Sequence, residues 1–184
     1  IEFYPYIGTF GWVVPEDERT VRIGVLTRNL ANETFKKFYK KRVGNKKTIE
    51  MQGGLVPVYN PKQKTQKGNV YLVGDAACQV KATTGGGIIQ GLTAAKILSR
   101  CITQNTNYEV EWRKKLGREL WLHLMIRKVL DKLRAKDYNR LVMLCTRKKI
   151  KSLLEKYDRD YVSAFLIKMV IKEPRFIWFA KFLF

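Results

Sequence analysis

The sequence predicts a chain of the α/β class, α+β overall, in which strands come first and helices last. Apolar residues alternate with other residues before position 27, which is typical of strands. A short apolar run, Val70–Val73, leads through a Gly-Asp pair into a glycine-rich helix start. Beyond Leu98 the chain is rich in helix formers and has little glycine or proline. These shifts divide the 184 residues into predicted segments 1–60, 61–104 and 105–184.

The first segment begins with a predicted hairpin. Apolar residues stand at alternate positions in two runs, Phe10, Trp12 and Val14, then Val21, Ile23 and Val25. A turn between the runs is marked by Pro15, Glu16 and Asp17. We therefore expect two neighbouring antiparallel strands near the N-terminus.

A helix and further strand character are expected after the hairpin. Aromatic residues at helical spacing predict a helix from about Glu33 to Arg42, with Asn29 or Asn32 as its N-cap. Its opposite face is rich in lysine, which suits either solvent or lipid phosphates. The stretch Thr48–Tyr59 returns to strand character, interrupted by glycine and proline.

The middle segment is organised around residues 70–98. The run Val70–Val73 has no helical periodicity, which favours a strand buried on both faces. Gly74 permits a tight turn, and Asp75 stands where the strand ends, a place where α/β proteins put ligand-binding groups. The helix that follows is expected to have one apolar face, formed by Ile88, Leu92, Ala95 and Leu98.

The glycine-rich start of this helix suits an anionic or electron-poor ligand. The first turn of a helix has N–H groups without intrahelical partners, and its dipole is partly positive there. The run Gly85–Gly87 lets a ring or a phosphate approach the backbone closely. An ionised Asp75 could accept hydrogen bonds from sugar hydroxyls. From spacing alone, an ordinary strand–turn–helix connection explains the pattern equally well.

The stretch VYLVGDAACQVKATTGGGI resembles the second FAD-binding motif of the geranylgeranyl reductase family and, more broadly, of the p-hydroxybenzoate-hydroxylase-like flavoproteins. The resemblance implies the C-terminal part of a Rossmann-like FAD-binding domain. Asp75 would bind the ribityl chain of FAD, and the glycine-rich amides would lie near the flavin ring or the pyrophosphate. The implied cofactor-binding residues are Gly74, Asp75, Ala76, Gly85, Gly86, Gly87 and Ile88. Two positions depart from the family pattern, Ala82 where proline is frequent and Cys78 where a small residue is common.

The N-terminal stretch YPYIGTFGWVVPEDERTVRIGV is partly similar to the substrate domain of the same family. There an aromatic and proline motif lies on a strand beside the lipid cavity. The resemblance implies that Phe10, Trp12 and Pro15 contact substrate. Aromatic residues on a strand are also common in protein cores, so both interpretations of Trp12 stay open.

The helical part predicted after residue 104 begins with one long helix, Tyr108–Arg134. A helix over Asp137–Thr146, a basic link at Arg147–Lys151 and a further helical stripe from Ile150 to Tyr157 follow it. The last stretch, Val162–Phe184, is apolar and aromatic with interspersed lysines, and Pro174 breaks it. It could lie on an anionic membrane surface or pack as an ordinary C-terminal helix.

Composition limits the possible functions. The formal net charge is +20, which favours an anionic partner such as a membrane surface or nucleic acid. Three widely spaced cysteines form no CxxC pair, so we expect a reduced, cytoplasmic setting and no metal site. The one histidine, His123, is expected at a surface or interface. No transmembrane stretch is evident, so membrane association would be peripheral.

No GxGxxG fingerprint occurs in the chain, although FAD enzymes of this type use one to hold the ADP half of the cofactor. We therefore expect the chain to be the C-terminal part of a longer flavoprotein, or one chain of a split one. The resemblance implies a geranylgeranyl reductase, a membrane-associated lipid-biosynthesis enzyme. It would reduce isoprenoid carbon–carbon double bonds with FAD and an unidentified electron donor. No catalytic side chain can be named from the sequence.

Two alternatives remain. The same fold could serve another FAD-dependent oxidoreductase: a monooxygenase, a halogenase or a quinone-linked dehydrogenase. The charge of +20 would also suit a nucleic-acid-binding module. That alternative is less favoured because the basic residues are dispersed and no RNP, zinc-finger or helix-turn-helix motif is present.

Overall fold

The computed structural model describes residues 1–5 and 7–183, and it has the mixed helix and strand content that the sequence predicts. The chain divides into two compact units. Unit 1 comprises Ile1–Gly54 with Arg134–Tyr138, and unit 2 comprises Leu55–Leu133 with Asn139–Phe184. The division into three segments stays a prediction.

Unit 1 is built on a three-stranded antiparallel sheet in the order β1 (Glu2–Tyr4), β2 (Phe10–Pro15), β3 (Val21–Leu26). The predicted hairpin is thereby confirmed. One face of β2 is buried under helix α1 (Ala31–Arg42), because Gly11 leaves room for the ring of Phe38. A Cβ at Gly11 would lie 3.1 Å from Phe38 Cε1.

Two expectations about unit 1 and the segment that follows it are wrong. The N-cap of α1 is Leu30, in a left-handed conformation with φ 51°, and no side chain caps the helix. Neither Asn29 nor Asn32 therefore has the predicted role. The stretch 48–59 was expected to have strand character but forms no strand, because none of the described strands pairs with it. Within this stretch only Tyr59 is buried.

The predicted central strand of unit 2 is short. β4 (Gln66–Lys67) and β5 (Val70–Tyr71) pair antiparallel over two residues each. Burial of residues 70–73 on both faces was expected and is wrong, since Val70 is 67% exposed. The reason is that β5 pairs with β4 alone among the described strands. A 3-10 turn, Gly74–Ala77, and the helix α2 (Ile88–Gln104) follow.

Helices make up the rest of unit 2. The predicted long helix follows α2 in the chain. It consists of α3 (Tyr108–Trp112), a π-helical turn (Arg113–Gly117) and α4 (Arg118–Lys132). The remaining elements are α5 (Ala135–Cys145), which crosses between the units in sequence, α6 (Lys148–Lys156), α7 (Ser163–Lys172) and a 3-10 segment (Pro174–Phe182). None of the helices over residues 1–5 and 7–183 is long and apolar enough to cross a membrane.

Two apolar cores hold unit 2 together. The first lies between α2, α3 and α4 and consists of Tyr59, Ala94, Cys101, Tyr108, Trp112, Leu116 and Leu120. The indole N–H of Trp112 donates to Thr65 Oγ1 over 2.7 Å, which joins α3 to the segment before β4. The second core, between α6 and α7, consists of Ile150, Leu153, Val162, Phe165 and Met169.

Burial differs from expectation at two places in these helices. His123 was expected at a surface or an interface; it is 3% exposed, so a surface position is excluded. It lies on the same face of α4 as Leu120 and Arg127, which are also buried. The predicted apolar face of α2 is mostly exposed, with Ile88 at 79% and Leu92 at 65%. The buried residues of α2 are instead Gln90, Ala94 and Cys101.

Candidate functional site

The candidate site begins at the turn after β5. Gly74 has φ +66°, in the left-handed region that favours glycine, and it opens the 3-10 turn. Cys78 ends this turn, also left-handed, with φ 54°. Its N–H donates to the Asp75 carbonyl over 2.9 Å, and the Gln79 N–H donates to the Gly74 carbonyl over 3.0 Å. The chain is thereby folded back so that Asp75 stands at the outside of the turn, exposed.

A fully buried amide side chain, that of Gln79, holds this turn in place. Its Oε1 accepts the N–H of Gly74 over 2.8 Å, and its Nε2 donates to the hydroxyl of Tyr108 over 3.0 Å. The Tyr108 hydroxyl in turn donates to the carbonyl of Leu72 over 3.1 Å. Burial raises the pKa of Tyr108, which keeps this hydroxyl protonated as a donor. The turn is therefore tied to α3 on both sides of Gly74.

The helix α2 lies against the turn through two glycines. A Cβ at Gly91 would lie 3.4 Å from the Cα of Gly74, and a Cβ at Gly74 would lie 3.9 Å from the Cα of Gly91. Such backbone contact brings the first turns of α2 next to the end of β5. In dinucleotide-binding folds a glycine of the helix permits the same close packing on the strand.

Asp75 lies beside the N-terminus of α2. A Cβ at Gly87, the N-cap residue of α2, would lie 2.7 Å from Asp75 Oδ1, closer than real Cβ contacts come. No side chain caps the helix at this end. The Asp75 carboxylate therefore lies against the backbone at the start of α2, where only glycine fits, and the first-turn N–H groups of α2, which have no intrahelical partners, begin at the next residue, Ile88. An acceptor carboxylate next to an uncapped helix N-terminus is an arrangement that α/β ligand-binding proteins use.

The loop that leads into α2 is closed on itself. The Lys81 N–H donates to the Gly86 carbonyl, and the Gly85 N–H donates to the Lys81 carbonyl, both over 2.9 Å. Gly85 has φ +72°, which makes this return possible. The amide of Gly85 is therefore satisfied within the loop, and Gly86 lies against the Lys81 side chain, with its Cβ position 3.2 Å from Lys81 Cε.

Two side chains tie this loop to the helical part of unit 2. Lys81 forms an ion pair with Asp160, and the two side chains are 16% and 14% exposed. Thr83 Oγ1 lies 2.8 Å from Nδ1 of His123. Burial, and next the charge of Lys81, lower the pKa of His123, so its neutral form is favoured in the folded chain. The loop is therefore held at Lys81 and at Thr83 by part-buried contacts.

The structure brings together several of the predicted cofactor-binding residues. Gly74, Asp75 and Gly87 meet at the N-terminus of α2, with Gly85 and Gly86 in the loop before it. The Ala76 and Ile88 side chains, by contrast, are exposed. Among the described residues no group of three or more histidine, cysteine or acidic side chains could hold a metal ion. All these residues belong to unit 2.

The predicted substrate residues Phe10, Trp12 and Pro15 lie on β2 in unit 1. Phe10 and Trp12 share the sheet face that α1 does not cover, with ring centroids 5.7 Å apart, and Phe3 adds a third ring 5.3 Å from Phe10. Trp12 lies across Gly24, in the space that a Cβ would take. Pro15 is exposed at the end of the strand. The result is a half-exposed aromatic surface on one side of the sheet.

Three residues that matter to the geometry were missed from the sequence: Gln79, Tyr108 and Gly91. A polar residue in a loop and a tyrosine at a helix start give no signal that they meet, because they are 29 positions apart. Gly91 did carry a signal, since glycine inside a helical pattern indicates close backbone approach when it persists despite its cost.

Comparisons with known proteins agree with the family resemblance of the sequence. The chain is 32% identical over 171 residues to digeranylgeranylglycerophospholipid reductase 2 of Methanothermobacter thermautotrophicus. The alignment covers 83% of this chain and 44% of that protein. The chain is also 29% identical over 193 aligned positions to the digeranylgeranylglycerophospholipid reductase of Methanocaldococcus jannaschii. That alignment covers 95% of this chain and 47% of that protein. No protein-family model matches the chain, and no solved structure is significantly similar to it.

The chain spans about half the length of the curated relatives it matches. It belongs to the geranylgeranyl reductase family, as its sequence resemblance predicted, and corresponds to a C-terminal part of those proteins.

Proposed function

We propose that this chain supplies the C-terminal part of the cofactor site, and a lipid-facing sheet, to an FAD-dependent reductase of isoprenoid carbon–carbon double bonds. The observation that carries the proposal is the position of Asp75 beside the N-terminus of α2, across Gly87. The names of the relatives, digeranylgeranylglycerophospholipid reductases, support an isoprenoid lipid as substrate.

The residues present fit a bound flavin nucleotide. Asp75 is exposed and would accept hydrogen bonds from ribityl hydroxyls, as an ionised carboxylate does. The first-turn N–H groups of α2 would donate to the electron-rich edge of the ring or to phosphate oxygens. Gly87 lets the Asp75 carboxylate lie directly against the start of α2, because any Cβ there would press on Asp75 Oδ1.

Reduced FAD, when bound, would supply the hydride for one carbon of the double bond, and a proton taken up by the other carbon completes its saturation. The task of this chain is to hold and orient the cofactor and the substrate. The Gln79–Tyr108 pair fixes the turn that carries Asp75. In unit 1 the aromatic surface of Phe3, Phe10 and Trp12 would bind the apolar prenyl chain and exclude water from it.

The rest of the dinucleotide site would come from a partner segment. Ile88, Ile89 and Leu92 expose 79%, 48% and 65% of their surface on one side of α2. Neighbouring exposed apolar side chains beside a ligand site are typical of an interface. We propose that the GxGxxG-bearing half of the flavoprotein covers it, in the same polypeptide or in another.

The test is an anaerobic reduction assay on the protein purified as its complete reading frame encodes it. With dithionite-reduced FAD and a geranylgeranyl phospholipid, the product should gain the mass of two hydrogen atoms per reduced double bond. The variant Gly87→Ala should weaken FAD binding about tenfold to a hundredfold, because displacing Asp75 loses a charge-assisted hydrogen bond.

Gly53→Ala is the matched control, since a Cβ at Gly53 would meet nothing within 4 Å. It should bind FAD like the unchanged protein. Folded protein that leaves the lipid mass unchanged would contradict the reductase proposal. Equal FAD affinity of the Gly87→Ala and Gly53→Ala variants would contradict the placement of the flavin at Asp75.

A further inference from the structure

A lysine-lined groove runs between α6 and α7. Its floor is the second apolar core, in which Ile150 and Leu153 of α6 pack with Phe165 and Met169 of α7. The groove has two adjoining hollows of about 230 and 270 Å³. Its cationic lining consists of Lys149 and Lys172, which line both hollows, with Lys156 and Lys168 in one and Arg147 and Lys148 in the other.

None of the five groove lysines has a carboxylate partner among the described residues: Lys148, Lys149, Lys156, Lys168 and Lys172. The nearby acidic groups are already engaged. Glu173 pairs with Arg147 over 3.0 Å and with Arg175 over 2.5 Å, and Glu155 faces Lys151 over 3.9 Å. The groove therefore carries uncompensated positive charge on a packed, rigid base.

The neighbouring lysines of the groove lower the pKa of Tyr157. The Lys168 ammonium donates to its hydroxyl and lies 4.5 Å from its ring centroid, and the Lys156 ammonium lies 6.0 Å from the same centroid. The hydrogen bond from Lys168, and next the charges of Lys168, Lys156 and Lys172, lower the pKa of Tyr157. An anion in the groove would relieve the mutual repulsion of these lysines.

Apolar side chains border the lysines on α7. Ile167 is 61% exposed and Ile171 is 72% exposed, each directly before Lys168 or Lys172 in the chain. Farther on, Ile177 of the 3-10 segment is 59% exposed. Exposed isoleucines beside unpaired lysines are typical of a helix that lies in the headgroup region of a membrane.

We propose that the α6–α7 groove docks the protein on an anionic phospholipid surface, with phosphate groups in the lysine-lined hollows and Ile167 and Ile171 in the acyl boundary. The proposal does not rest on the flavin site. Charge complementarity selects an anionic occupant, and the exposed isoleucines select a membrane over a nucleic acid, because a polyanion in water offers them no apolar partner.

The experiment is co-sedimentation of the protein with vesicles of phosphatidylcholine, with and without phosphatidylglycerol. The unchanged protein should bind the anionic vesicles and release them as salt rises. The quadruple variant Lys149→Gln, Lys156→Gln, Lys168→Gln, Lys172→Gln should bind about six-hundredfold less tightly, from roughly fivefold per lysine. Should it not fold, Lys149→Gln with Lys172→Gln should still lose about twenty-fivefold.

The matched control removes four exposed lysines from α1: Lys36→Gln, Lys37→Gln, Lys40→Gln, Lys41→Gln. It has the same net charge and should lose much less affinity. Equal losses in the two quadruple variants, or no binding of the unchanged protein to anionic vesicles, would overturn the proposal.

A second variant separates a membrane from any other polyanion. Ile167→Ser with Ile171→Ser should weaken vesicle binding at least about tenfold and leave heparin binding unchanged. A lysine variant that loses affinity for single-stranded RNA while its vesicle binding is unaltered would assign the groove to nucleic acid and refute the docking proposal. FAD binding should be the same in all these variants.

Discussion

Replacing Gln79 with leucine tests the network on which the candidate site depends. Gln79 is fully buried, accepts the Gly74 N–H and donates to the Tyr108 hydroxyl. Leucine fills nearly the same volume and can do neither. The change therefore removes two hydrogen bonds and leaves the Gly74 N–H without its acceptor, while the Tyr108 hydroxyl keeps its bond to the Leu72 carbonyl.

The expected loss is about 2–4 kcal/mol of the free energy of unfolding. Each hydrogen bond contributes about 0.5–1.5 kcal/mol net, and an orphaned buried donor costs about 1–3 kcal/mol. The lower end of that last range applies because Gly74 is only half-buried. Tyr108→Phe also removes two bonds and should cost about 1–3 kcal/mol, since Tyr108 is fully buried.

Urea unfolding of both single variants and the double variant gives the energy of the shared bond. The double variant should be about 0.5–1.5 kcal/mol more stable than the sum of the single losses predicts, because Gln79 and Tyr108 share one hydrogen bond. Gln104→Leu, at the exposed end of α2, is the control and should change stability by no more than about 0.5 kcal/mol. Additive losses would refute the bond and the account of how the turn is held.

Two further predictions concern pH and the sheet. Burial and the charge of Lys81 lower the pKa of His123 below its ordinary 6.5. As the pH falls, the imidazole of His123 is therefore protonated in the unfolded chain before it is protonated in the folded chain. Stability should therefore hold above about pH 6.5 and fall below it, and His123→Gln should flatten that decline in thermal unfolding. In unit 1, Gly24→Ala places a Cβ inside the Trp12 ring and should destabilise by about 1–3 kcal/mol in urea unfolding; Gly53→Ala, without neighbours, should not.

Much of the fold follows from local patterns. The hairpin of β2 and β3 and the long helix through α3 and α4 follow from alternation and helical periodicity, and both were predicted. The expected strand over residues 48–59 was wrong because β propensity forms a strand only where a partner strand is available. The predicted asparagine cap failed because the backbone at Leu30 is left-handed.

The candidate site was predictable only in part. Glycine and aspartate at a strand end and a helix start indicate a turn and a helix N-terminus, which the structure has at Gly74, Asp75 and Gly87. The burial of Gln79 and His123 was not predictable, because it depends on contacts with residues far away in the sequence. Long-range pairing of polar groups leaves no periodic signal in one sequence.

The measurement that tests the central proposal most directly is a native mass spectrum of the protein, purified as its complete reading frame encodes it. The proposal predicts a species that carries one noncovalently bound FAD, which the Gly87→Ala variant loses at lower collision energy than the Gly53→Ala variant does. Folded protein with no flavin, even after incubation with excess FAD, would contradict the proposal that this chain forms part of a flavin site.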